Sequence, residues 1–409
     1  MTERPILIIG GGISGITAAV EIAEAGKQVV IIEKLPYLGG NVIKMNNYFP
    51  KLCPPICGLE INFRRIRQNP NISVYTSTTV EHITGEKGDL TIQLKRSAVY
   101  VNSNCTACGD CAEICPEERP NEYNYLFDTT KAIYLPHEMA YPFKFAIDDN
   151  YCLKEKCSKC TEVCKYNAID LTAIEERPEL RVSSVIIATG WLPYNIENEV
   201  NLNYSTYKNV IKNVEVERLL AVNGPYNGEL LRPSDKKKPK SIAFVQCAGS
   251  RDENYLPYCS AVCCSASLKH ALTICERYPE ITIKIFYIDL RVTGRNEDLL
   301  SKVEALKNVE LIKGKVAKIK ENEISGNLII EAEDTLCSRK IKNEFDMVIL
   351  AAGIKPSEVK LNNVLTDNNG FILPESLPEG VYSAACSKRP MDVVSSLRDA
   401  TGIVLKAIQ

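Results

Sequence analysis

The sequence predicts an α/β protein made of two strand–turn–helix–strand units of parallel sheet, the first interrupted by a small cysteine-rich module. Three observations predict it. The chain opens on an apolar strand, a glycine turn and an amphipathic helix; a second unit of the same kind starts near residue 241; and eight cysteines between residues 101 and 172 fall into two runs of four.

In the first unit, Pro5 to Ile9 reads as a buried parallel strand. A turn with Gly10, Gly12 and Gly15 follows, then a helix ending at Gly26 and a second strand, Gln28 to Ile32, that finishes on Glu33. This order is the dinucleotide fingerprint, and each part has a physical role. Gly10 allows the turn, Gly12 lets a pyrophosphate approach the backbone, and Gly15 lets the helix lie close to the sheet. The helix start around Ser14 offers N–H groups and the positive dipole end to phosphates. Glu33 is placed to accept hydrogen bonds from a ribose, with Lys34 beside it. A plain glycine-rich turn is the competing reading, and five parts in register argue against it.

Gly39 and Gly40 follow Glu33, and Val185 to Gly190 is a strand ending in Ala-Thr-Gly, with Thr189 and Gly190 at its tip. A similar strand, Met347 to Gly353, recurs near the end. In these features the chain resembles thioredoxin-reductase-like flavoproteins with two dinucleotide-binding domains, and the resemblance implies FAD at the first site. That family carries a C-terminal Gly-Asp at the flavin end of FAD. Here the matching stretch contains Ala385 and Cys386, and the aspartate is absent.

The bulk composition is ordinary for a globular protein, with 45% hydrophobic and 24% charged residues among 409. Formal net charge is −2, which removes the basic field of a nucleic-acid binder. No export leader and no membrane span are expected from the apolar pattern. Seventeen cysteines stand out, and their ligand-like spacings point to an intracellular, cytoplasmic metalloprotein rather than a disulfide scaffold. Only three histidines occur (His82, His137, His270), which argues against histidine-rich metal sites and acid–base machinery.

Cys105, Cys108, Cys111 and Cys115, with Pro116 after them, match the run of a bacterial ferredoxin. Cys152, Cys157, Cys160 and Cys164 form a second run with a first gap two residues longer, and Lys165 replaces the proline. In such repeats the fourth cysteine serves the other cluster. One [4Fe–4S] cluster would then use Cys105, Cys108, Cys111 and Cys164, and the other Cys152, Cys157, Cys160 and Cys115. A pair of zinc knuckles is the alternative. The resulting division is 1–100 for the first part of the FAD domain and 101–172 for the inserted ferredoxin-like module. Residues 173–238 return to the FAD domain, 239–350 form the second unit, and 351–409 close the FAD domain.

The second unit has its strand at Ser241 to Gln246, a helix from about Cys264 to Tyr278, and a strand at Ile281 to Ile288. Where a nicotinamide nucleotide would need a glycine fingerprint, the loop keeps one glycine, Gly249, and carries Cys247, Cys259, Cys263 and Cys264. This predicts a third, non-ferredoxin [4Fe–4S] site and no nicotinamide binding, with buried structural cysteines as the alternative. Cys275 and Cys337 read as core or surface thiols. Cys53 and Cys57 lie past Gly40, and three readings stay open for them: a flavin-linked dithiol, ligands to a cluster completed elsewhere, or structural thiols. No general base is assigned.

Together these residues resemble the A subunit of heterodisulfide reductase. The segments Phe49 to Asn62, Asn121 to Asn124 and Pro136 to Pro142 resemble its short branch, which includes the A subunit of the quinone-interacting membrane-bound oxidoreductase (Qmo). The resemblance implies a cytoplasmic electron-transfer subunit, held at the membrane only through partners. Those partners would be a sibling flavoprotein, a membrane subunit that reacts with quinone and, in sulfate metabolism, adenylylsulfate reductase; a homodimer also remains open. The rival expectation is a free-standing NAD(P)H-dependent disulfide or sulfur reductase using Cys53 and Cys57. A third is a scaffold that keeps a vestigial FAD fold.

Overall fold

The computed structural model describes residues 4–49 and 52–409. The start of the opening segment (residues 1–3), and residues 50 and 51 within the Phe49 to Asn62 segment, lie outside the described residues. Two five-stranded parallel sheets organise the chain. The first is built from β1 (Ile6–Ile9), β2 (Val29–Ile32), β3 (Ile72–Tyr75), β4 (Ser184–Ile187) and a late strand, β10 (Val381–Ser383), in the order β10-β4-β1-β2-β3. The second uses β5 (Val210–Lys212), β6 (Ser241–Ala248), β7 (Thr282–Tyr287), β8 (Val309–Lys313) and β9 (Met347–Ala352), in the order β5-β9-β6-β7-β8. Strands β1, β2, β4 and β9 are buried along their whole length, as expected of parallel strands covered on both faces.

Helix α1 (Ile13–Glu24) packs on the first sheet because Ile16, Ala19, Val20 and Ala23 recur at helical spacing, and all four are buried. On the same core sits α2 (Pro55–Gln68), through Leu59, Phe63 and Ile66. The helices α3 (Asp110–Ile114) and α4 (Lys159–Val163) belong to the insertion. Three more helices bear on the site: α5 (Asn213–Leu220), α6 (Cys263–Arg277) and α7 (Val393–Ala407).

The insertion closes on itself where Val101 bridges Ile169 and where the Asp170 N–H donates to the Tyr100 carbonyl at 2.8 Å. It is fastened to the rest by two of the segments singled out above. Asn124 Oδ1 accepts from Arg218 Nε of α5 at 2.8 Å, and the guanidinium lies 4.6 Å from the centre of the Tyr123 ring. His137 stacks on Tyr123 at 5.1 Å, and Tyr141 stacks on Phe63 of α2 at 5.5 Å. Arg218 is almost fully buried, so its charge is balanced by these contacts and by the Asn223 carbonyl, 2.7 Å from Nη2. Among the described residues no helix is long and apolar enough to cross a membrane.

Candidate functional site

A cavity of about 620 Å³ opens at the C-terminal ends of β1, β2 and β4, where parallel sheets collect ligands. Ten of the twelve residues expected to hold a dinucleotide line it: Gly10, Gly12, Ser14, Glu33, Lys34, Gly40, Thr189, Gly190, Ala385 and Cys386. Gly15 and Gly39 stand behind them. A Cβ on Gly15 would fall 1.9 Å from the Gly10 carbonyl oxygen, so only glycine lets α1 lie this close to the turn. Gly39 bridges Gly12 and donates its N–H to the Gly11 carbonyl at 2.8 Å. Gly10 itself has φ +111°.

The cradle fits a diphosphate. The residue that begins α1, Gly12, brings no side-chain cap and no acid stands in the first turn, so the first N–H groups of the helix face the cavity. A Cβ on Gly12 would meet nothing nearer than Gly40 Cα at 3.9 Å, which leaves bare backbone for a ligand to approach. Glu33 accepts from the Gly11 N–H at 2.7 Å and from the Leu35 N–H at 2.8 Å, one on each carboxylate oxygen. Burial pushes its pKa up, against these two hydrogen bonds. Thr189 Oγ1 is buried without a hydrogen-bond partner among the described residues and borders the same cavity.

One wall of the cavity is charged. Glu217 of α5 and Lys269 and His270 of α6 all line it. Glu217 Oε1 pairs with Lys269 Nζ and lies 2.6 Å from His270 Nε2, while Oε2 accepts from the Asn46 N–H at 3.0 Å. Burial raises the Glu217 pKa, but Lys269 and His270 outweigh it and hold the carboxyl down at about 2. Lys44, also in the wall, is lowered to about 8 by burial and by the charge of Arg218. Sequence reading missed this wall: an isolated Glu, Lys or His on an amphipathic helix looks like a solvated face.

The insertion gathers its thiols as two groups. Cys111 lies among Cys105, Cys108 and Cys160, and burial pushes its thiol up to about 12. Cys160 lies among Cys152, Cys115 and Cys157, with its thiol pushed up by burial to about 11. Cys115, Cys152, Cys157 and Cys160 also line one small surface pocket together. The stretched gap is absorbed by a short 3-10 turn, Lys154–Lys156, entered at Lys154 with φ +50°. The second-run thiol acting on Cys111 is Cys160 rather than the expected Cys164; four residues after Cys164, the Ala168 carbonyl accepts from the Asn102 N–H at 2.9 Å, near the start of the first run. Backbone N–H groups of Ala107, Lys154 and Ala168 point at the sulfurs of Cys105, Cys152 and Cys164, each at 3.4 Å.

The third group sits at the end of the second sheet. Cys263 is surrounded by Cys264, Cys247 and Cys259, and burial pushes its pKa well up. Helix α6 starts at Cys263 and Cys264 and lines the cavity with Ala266, Lys269 and His270. From Cys263 to Lys269 is about 9 Å along a helix axis. One helix therefore joins the thiol group to the cavity wall. Among the described residues no three Cys, His, Asp or Glu side chains meet closely enough to hold a single metal ion.

Cys53 is half-buried and Cys57 exposed, and neither lines the cavity. They are one residue removed from it: Tyr48 borders the cavity and hydrogen-bonds Cys53, which together with burial moves the phenol up to about 12. Cys275 is buried and Cys337 exposed.

A family model described as FAD dependent oxidoreductase matches residues 5–62. The chain is 32% identical, over 98% of its length, to a Methanothermobacter thermautotrophicus protein, the A subunit of H(2):CoB-CoM heterodisulfide,ferredoxin reductase. It is 36% identical, over its full length, to the iron-sulfur A subunit, numbered 2, of the CoB–CoM heterodisulfide reductase of Methanopyrus kandleri. It spans 63% and 64% of those two relatives, less than two thirds of their length. Among solved structures, thioredoxin reductase of Lactococcus lactis superposes with a TM-score of 0.54 at 12% identity, covering 99% of this chain and 98% of that one. The fold is thus that of the thioredoxin-reductase-like flavoproteins, and the chain belongs to the flavoprotein family of heterodisulfide reductase A subunits.

Proposed function

We propose that this chain is an oxidoreductase subunit that binds FAD in the first cavity and carries three [4Fe–4S] clusters, passing electrons between partner proteins. The observation that carries the reading is α6, which runs from a group of four thiols into the wall of the dinucleotide cavity. FAD, when bound, exchanges electron pairs for single electrons, and iron–sulfur clusters accept them singly. The chain's own residues supply the rest. Gly10, Gly12, Ser14 and Gly40 would hold the diphosphate and Glu33 the ribose. Thr189, Gly190, Ala385 and Cys386 would border the far end of the cavity, and Glu217, Lys269 and His270 would fix the charge there.

The thiol sets would be Cys105, Cys108, Cys111 and Cys164; Cys152, Cys157, Cys160 and Cys115; and Cys247, Cys259, Cys263 and Cys264. The run Cys105, Cys108, Cys111 and Cys115 followed by Pro116, with a second run of four behind it, favours the cluster over the zinc knuckle. Within the family, the segments Phe49 to Asn62, Asn121 to Asn124 and Pro136 to Pro142 favour the Qmo-like branch. The partners would then be a second flavoprotein, a membrane subunit that reacts with quinone, and adenylylsulfate reductase, with the chain itself on the cytoplasmic side. The 1–100, 101–172, 173–238, 239–350 and 351–409 division is retained as the functional one, with β5 lent to the second sheet.

Anaerobic purification followed by iron, sulfide and flavin analysis tests the reading. The expected result is about twelve irons per FAD, four for each cluster. Stoichiometric zinc with little iron would replace the electron-transfer reading by a structural one.

A further inference from the structure

Asp289, just beyond β7, holds two arginines. One carboxylate oxygen pairs with Arg251 Nη1 and the other accepts from Arg291 Nε at 3.1 Å. Both guanidinium groups thereby stand beside the third thiol group, Arg251 close to Cys247 and Arg291 close to Cys259. The Cys264 thiol meets the backbone carbonyl of Asp289 at 3.9 Å. Left-handed backbone at Cys247 (φ +54°) and Arg251 (φ +59°) folds the loop back so that the arginine returns over the cysteine four residues before it. Residues in that region cost conformational energy, so the loop is shaped for this contact. Backbone N–H groups reach sulfur in both places, Ala107, Lys154 and Ala168 in the insertion and Ala261 at Cys259 here, each at 3.4 Å; the arginine pair is particular to the third group.

We infer that Arg251 and Arg291, clamped by Asp289, are positioning residues that raise the reduction potential of the group held by Cys247, Cys259, Cys263 and Cys264. The inference rests on the reading of those thiols as cluster ligands. Adding an electron to such a group adds negative charge, and two guanidinium groups against one carboxylate leave one net positive charge beside it. Hydrogen bonds to sulfur and local charge are the levers by which a protein sets a cluster's potential. Arginine keeps its charge at every working pH, so the bias is fixed rather than switched. The centre joined to the cavity wall by α6 thereby becomes a favoured resting place for the first electron that leaves the cavity.

The test is a redox titration followed by electron paramagnetic resonance on the full chain, comparing wild type with Arg251→Gln, Arg291→Gln and Arg251→Lys. The signal lost in Cys263→Ala/Cys264→Ala identifies the centre concerned. In each glutamine variant that centre should become at least tenfold harder to reduce, about 59 mV for a one-electron couple, with iron and FAD at wild-type levels and the other centres unmoved. Arg251→Lys, which keeps the charge and loses the fork, should move less. Full iron with unchanged potentials in both glutamine variants overturns the inference. Unchanged iron in a folded Cys263→Ala/Cys264→Ala protein would overturn the ligand reading itself, before any arginine is changed. Because Arg291 is half exposed, its variant keeps the test available where Arg251→Gln fails to fold.

Discussion

Both five-stranded sheets place three consecutive parallel strands beside a later strand, β1-β2-β3 next to β4 and β6-β7-β8 next to β9. Their first turns could hardly differ more. After β1 the chain needs only Gly10 to Gly12 before α1 begins, and that turn is bare backbone aimed into the cavity. After β6 it spends residues 249–262 before α6, in a loop that carries Arg251 and Cys259 and ends on two thiols. A parallel sheet thus supplies only a platform, and the turn decides what sits on it. The first turn presents N–H groups and no Cβ, which suits an anion; the second presents sulfur and guanidinium, which suits an iron–sulfur cluster.

The comparison breaks most sharply at Gly12. Its backbone is ordinary (φ −75°), so Gly12→Glu leaves the fold intact while placing a carboxylate against the diphosphate. Like charges about 4 Å apart near a protein surface cost about 4 kcal/mol, on the order of a thousandfold in affinity. The variant should purify folded and without releasable flavin, its cluster absorbance remaining; full FAD content would move the site elsewhere. The converse concerns the second turn. NADH and NADPH should fail to bleach the flavin in anaerobic stopped-flow mixing, because thiols stand where a pyrophosphate cradle would be. Rapid stoichiometric bleaching by either would favour the free-standing reductase.

A smaller effect separates the two roles of glycine within the first turn. Gly15→Ala must push α1 off the Gly10 carbonyl, since the new Cβ would lie 1.9 Å from that oxygen. The expected loss is about 2 kcal/mol of stability in chemical denaturation, together with weaker FAD binding. A neutral result would mean the helix has slack that the packing does not reveal.

A pH-dependent effect, of a size comparable to that of Gly15→Ala, lies at the seam between the insertion and the first sheet. Burial, then the charges of Arg218 and Lys44, hold His137 down at about 4, from an ordinary value of 6.5. Between those values the unfolded chain takes up a proton that the folded chain refuses. Stability is therefore complete above pH 6.5 and falls as pH drops towards 4, by at most about 3 kcal/mol from this group. Urea melts at pH 7.5 and 5 should show that His137→Gln flattens this slope. An identical slope would assign the acid sensitivity to other groups.

What was legible in the sequence was local. The Gly10 to Gly15 turn, the strand ending on Glu33 and the two cysteine runs each declare themselves within a dozen residues, because the chemistry requires a fixed spacing. The Cys152 to Cys157 gap looked irregular in sequence, yet a short turn at Lys154–Lys156 takes up the difference. The unseen features were assembled from far apart. Glu217 meets Lys269 and His270 only because α5 and α6 pack side by side, and Asp289 meets Arg251 only because β7 lies beside β6. Strand β5 was also hidden, since the three-residue segment Val210–Lys212 has no periodicity to read.

The central claim is that the second turn holds a cluster of its own beside a flavin cavity it does not share. Anaerobic iron and FAD analysis of Cys263→Ala/Cys264→Ala against wild type tests it most directly. The account predicts a folded protein that loses about four irons and keeps its FAD. Unchanged iron in a folded double variant would contradict it, and would leave those thiols as structural cysteines.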